Sequence, residues 1–106
     1  MSSAPVNRYR GNLRDFFFLM FEQYKISDYL GQGKYADWGE EEVRAVLKEC
    51  HKFAQEVVGP LNAAGDVGCT VVDGRVKTPE GFKAAWDRLY EAGWPGIAIP
   101  QEHGGQ

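Results

Sequence analysis

Cysteine is scarce in this chain of 106 residues, with only Cys50 and Cys69. Two are too few for the disulfide framework of a small secreted domain. Histidine is equally scarce, at His51 and His103. Zinc sites need close ligand pairs at two- to four-residue spacing, and the neighbours Cys50-His51 point to different faces of a helix, so no metal site is expected. Basic residues are in the minority: twelve Lys and Arg against fifteen Asp and Glu give a net charge of −3. No dense Lys/Arg stripe appears, which argues against nucleic acid as the main partner. Long apolar runs are missing too. The longest, Phe16 to Phe21, is far below the ~20 residues that span a bilayer. The opening Met1-Ser-Ser-Ala-Pro-Val has no basic region followed by an apolar one, so a signal peptide is not expected. These absences favour a soluble, reducing, cytoplasmic setting.

Aromatic residues are plentiful: six Phe, five Tyr and three Trp. That is a large apolar load for a chain whose size lets it bury only about 60–70% of the surface its unfolded form exposes. Part of the load is expected to meet a surface outside this segment. Internal repeats and low-complexity tracts are absent from the sequence.

Residues 1–11 read as an irregular arm ending at Gly11, after which Asn12 can cap a helix with Asp15 near its positive end. Leu13, Phe16, Phe17, Met20 and Tyr24 share one face at helical spacing, while Phe18, Leu19 and Phe21 fill the others. A helix apolar nearly all round must be buried nearly all round. The segment Ser27-Asp-Tyr-Leu-Gly-Gln-Gly-Lys-Tyr35 breaks the pattern, with a helical turn near Asp28. Asp37-Trp-Gly-Glu40 resembles a capping box, the Asp accepting from the N3 amide while the Glu reaches back. The next helix carries Val43, Val46, Leu47, Cys50, Phe53, Ala54 and Val57 on one stripe and Arg44, Lys48, Glu49, Lys52 and Glu56 opposite. It is expected to stop at Gly59-Pro60, with residues 61–68 as a loop. Cys69 to Lys77 reads as a hairpin turning at Asp73-Gly74. Thr78-Pro79 should start a third helix, Thr as cap and Pro at the first position, with Phe82, Ala85, Trp86 and Leu89 inward and Gly93 closing it. Lys83, Asp87 and Glu91 form a solvated face.

The fold class expected is mainly α: three principal helices with a short hairpin between the second and third, the first crossing or capping the others. Leu13, Phe17, Met20, Val46, Leu47, Cys50, Phe53, Ala54, Phe82, Trp86 and Leu89 are the candidate core.

Candidate chemistry is thin. Gly31-Gln-Gly-Lys34 meets neither phosphate-loop pattern, and no buried strand precedes it, so it reads as an ordinary loop. Cys50 lies on the apolar stripe as core filling, and His51 is expected to be solvated. Cys69 has neither a nearby base nor a positive environment to make it a nucleophile. Glu41-Glu42 are helix-end charges. No catalytic, cofactor-binding or metal-ligating residue is assigned.

Three segments carry a resemblance: Phe53-Ala-Gln-Glu-Val-Val-Gly-Pro60, Gly65 to Lys83, and Glu91-Ala-Gly-Trp-Pro-Gly-Ile-Ala-Ile-Pro-Gln-Glu-His-Gly-Gly105. Together they resemble the N-terminal helical domain of acyl-CoA dehydrogenases. Tyr9-Arg-Gly-Asn-Leu-Arg-Asp-Phe-Phe-Phe-Leu-Met20 is similar to the aromatic opening of the larger members with an N-terminal helical extension. The likeness covers about Tyr9 to Gln106. It implies residues 1–36 as arm and extension and 37–106 as an acyl-CoA dehydrogenase N-terminal-like domain, cut before the family's β-domain. It further implies a parent flavoprotein of fatty-acid metabolism that oxidises acyl-CoA to 2,3-enoyl-CoA, a glutamate taking the C2 proton and FAD a hydride. Both the flavin site and that glutamate belong to later domains, so no cofactor is expected on this segment, which would not be catalytic by itself. Its partners would be the remaining domains or a dehydrogenase subunit, with acyl-CoA as the parent's substrate. The closing Gly104-Gly105 reads as a dangling lead towards the acyl pocket. The alternative reading is a free-standing interaction module that self-associates through the Phe16–Phe21 helix.

Overall fold

The computed structural model describes residues 7–106. The described residues form two compact units, one from Arg8 to Gly59 and one of Pro60 to Gln106 together with Asn7. It is mainly helical with one small antiparallel sheet, as the patterning predicts.

In the first unit, helix α1 (Leu13–Phe17) starts where expected, the Asn12 side chain accepting from the Arg14 amide. The helix widens into a π-helical stretch, Phe18–Gln23, closed by the Tyr24 amide donating to the Leu19 carbonyl. A 3-10 turn over Ile26–Asp28 follows, near the expected Asp28 turn, and another spans Gly33–Tyr35. Helix α2 (Glu40–Phe53) is capped differently from the expectation. Gly39 is the cap, and its amide donates to the Glu42 carboxylate at 3.0 Å. Asp37 lies in a turn closed by the Trp38 amide on the Tyr35 carbonyl, and so cannot serve as the cap.

Helix α2 does not stop at Gly59-Pro60. It passes through a π-helical turn, Ala54–Val58, into a 3-10 turn, Gly59–Leu61, with Gly59 right-handed at φ −53°. Proline lacks the amide an α-helix needs at that point, and the changed turn geometry lets the chain continue helically. In the second unit the expected loop is helix α3 (Asn62–Val67), whose Ala63 and Ala64 are strong helix formers.

Strands β1 (Thr70–Val72) and β2 (Arg75–Lys77) pair antiparallel, Val71 opposite Val76. Their turn is the expected Asp73-Gly74, with φ of 51° and 76°. Both central residues are left-handed, the geometry that matches the twist of flanking strands. Helix α4 (Phe82–Glu91) begins later than Thr78-Pro79 predicts. Left-handed Gly81, at φ 91°, breaks the right-handed path, so the first α-helical bond runs from the Ala85 amide to Gly81. Gly93 closes the helix as expected, left-handed, its amide on the Tyr90 carbonyl.

The core is thinner than the apolar stripes suggest. Leu13, Phe17, Met20, Val46, Leu47, Phe53, Ala54 and Leu89 are half-buried, but Cys50, Phe82 and Trp86 are exposed. Val57, at 7% exposure, is the one buried hydrophobic side chain among the described residues.

Candidate functional surfaces

The first unit is tied together by Arg44. Phe17 and Phe21 sit four residues apart with ring centroids separated by 6.4 Å. The Arg44 guanidinium lies 4.7 Å from the first ring and 4.4 Å from the second. The cation meets the negative faces of both rings. Its other donors engage Glu40 one helical turn back, Nε at 3.0 Å and a terminal nitrogen at 2.7 Å from Oε1. The Ser27 hydroxyl donates to the second Glu40 oxygen at 3.2 Å. The hydrogen bond from Arg44 holds the Glu40 carboxyl below its usual range; desolvation opposes it, and the Ser27 hydroxyl and the Arg44 charge assist it. This chain of contacts fastens one side of α1 and the Ile26–Asp28 turn to α2. The other side of α1 and its π-helical continuation stays uncovered: Phe16, Phe18 and Leu19 are exposed, Phe18 by 52%.

In the second unit, Trp86 and Tyr90 form a tilted ring pair with centroids 4.9 Å apart and remain exposed. The Lys83–Asp87 pair at 2.8 Å lies on the solvated face that the sequence predicts. The closing segment is not dangling. Gln101–His103 forms a 3-10 turn, Gly104 is left-handed, and the Gly105 amide donates to the Pro100 carbonyl. The Gln106 amide then reaches the Gly96 carbonyl at 3.0 Å. A side chain at Gly105 would collide with the Ile99 carbonyl, so the close approach needs glycine. Ile97 and Ile99 remain exposed on this folded loop.

The residues weighed for chemistry do not converge. Cys50 and Cys69 are free and exposed, in different units. Cys50 is exposed and so is not core filling; at the next position the His51 ring lies 5.6 Å from that of Tyr9. His51 is half-buried and not solvated, with Nδ1 buried and without a hydrogen-bond partner among the described residues. His103 is exposed beside Glu102 at 3.6 Å. Glu41 stays exposed at the α2 terminus, and Glu42 serves the Gly39 amide. In Gly31 to Lys34 the Gly31 amide is engaged by the Tyr35 carbonyl, and Lys34 lies 5.1 Å from the Tyr35 ring. Among the described residues no group of three His, Cys, Asp or Glu could hold a metal ion. No helix there is long and apolar enough to cross a membrane. Sequence reasoning missed the Arg44 link. Its signals were present, an Arg four residues after Glu40 and an aromatic run in α1, but the tertiary meeting of the two cannot be read from spacing.

Comparison with known proteins agrees with this arrangement. The profile of the acyl-CoA dehydrogenase N-terminal domain matches residues 40–106, from the first residue of α2 onward. The chain is 33% identical over 98 residues to the 3-methylmercaptopropionyl-CoA dehydrogenase of Ruegeria pomeroyi, covering 92% of this chain and 17% of that protein. It is 32% identical over 103 residues to a broad-specificity linear acyl-CoA dehydrogenase of Mycobacterium tuberculosis, covering 94% and 17%. The chain thus spans about 17% of the length of these curated relatives, and both matches reach ahead of residue 40 into the α1 region. With its helices, its hairpin and its folded Gly93–Gln106 segment matched in this way, the chain belongs to the acyl-CoA dehydrogenase family, through its N-terminal helical domain.

Proposed function

We propose that this chain is the N-terminal portion of a cytoplasmic, flavin-dependent acyl-CoA dehydrogenase that oxidises acyl-CoA to the 2,3-enoyl-CoA, and that it is a docking and shaping element without catalysis of its own. In this reading residues 1–36 are the arm and extension, and 37–106 the domain that meets the family's β-domain. The observation that carries it is the mismatch between apolar content and burial. Phe16, Phe18, Leu19, Trp86, Tyr90, Ile97 and Ile99 are all exposed, while Val57 alone is a buried hydrophobic among the described residues. Exposed apolar surface on this scale marks an interaction site, and the relatives are dehydrogenases about six times as long.

The loop at Gly31 to Lys34 does not offer FAD a pyrophosphate cradle. A dinucleotide needs free amides or cations aimed at its pyrophosphate. The glycine-bearing loop at Gly31 to Lys34 has its Gly31 amide bound to Tyr35 and its lysine against an aromatic ring. That supports placing the flavin on other segments of the parent, and no step of the reaction is routed through this chain.

The test is flavin content. The chain alone, and the chain continuous with the rest of its parent, are purified and assayed for bound FAD and for acyl-CoA-dependent dye reduction. Both properties are expected only in the longer polypeptide. Stoichiometric FAD on the short chain would refute the reading. A stable, soluble chain that captures no dehydrogenase domain would favour the free-standing module instead.

A further inference from the structure

We draw no further inference here: the strongest candidate, the exposed apolar face of α1 and its π-helical continuation at Phe16, Phe18 and Leu19, belongs to the docking surface already described, and nothing in the structure shows which segment covers it.

Discussion

Replacing Arg44 with alanine should loosen α1 from α2 without harming α2 itself, since alanine is at least as good a helix former as arginine. The guanidinium stands 4.7 and 4.4 Å from the Phe17 and Phe21 rings, both inside the ~6 Å reach of a cation–π contact. Arg44 is half-buried, so each contact is worth about 0.5–1 kcal/mol and the two together about 1–2 kcal/mol. Free energy of that size changes an opening equilibrium about 5–30-fold. Amide hydrogen exchange reads it directly: protection across Leu13–Phe17 should fall by that factor in R44A, while the middle of α2 stays unchanged. Glu40 lies at the surface, where ion pairs contribute little. E40Q should therefore cost much less than R44A. If E40Q loosens α1 as much as R44A does, the ion pair and not the stacking is the tie, and the account of this unit is wrong.

Other consequences follow the same contacts. The folded Glu40 carboxyl titrates below its ordinary range. The stability it adds is present above its unfolded pKa and is lost as pH falls through the folded value. Exchange of the Arg8–Gly59 unit measured through that acidic window should show the loss in the wild type and not in E40Q. G105A places a Cβ against the Ile99 carbonyl and should open the closing loop. Proteolysis beyond Trp94 would then speed up, and an unchanged cleavage rate would count against the folded tail. G74A forces a side chain onto φ 76° and should destabilise the hairpin by about 1–2 kcal/mol. Chemical-shift indices of Thr70–Val72 and Arg75–Lys77 check it.

Much of the fold was legible because short-range chemistry decided it. Asn12 capping α1, Asp73-Gly74 turning the hairpin and Gly93 ending α4 are local choices with few competitors. The misreadings share a cause, since each depended on a neighbour. Asp37 was a plausible cap until the Tyr35 turn took that segment, leaving Gly39 to cap and Glu42 to accept. Thr78-Pro79 was a plausible start until Gly81 went left-handed. Pro60 looked like a stop, but π and 3-10 turns carry the chain past it because neither requires the α-helical bond that proline cannot make. Cys50 has the spacing of a core residue, yet it is exposed, while the His51 ring one position on lies beside Tyr9. Spacing names a face of a helix; it does not say which side chain will be covered. The candidate surfaces were legible only as a surplus of aromatics, not as the arrangement that Arg44 imposes.

That surplus yields a prediction whose sign depends on context. Phe18 is 52% exposed, so about half of its burial remains to be gained on docking. Full burial of a phenylalanine is worth about 1.5–3 kcal/mol, which leaves roughly 1 kcal/mol for a partner to collect. In this chain alone, F18S should cost little stability and should reduce self-association and dye binding to exposed apolar surface. In the parent dehydrogenase the same change removes a docked side chain and adds a hydroxyl that needs a hydrogen-bond partner. There it should destabilise by about 1 kcal/mol or more, lowering the thermal midpoint. A substitution that helps the part and harms the whole is the signature of a face built for a neighbour. Should F18S be equally mild in both settings, α1 faces solvent in the assembled protein, and the aromatic excess must be explained by some other surface.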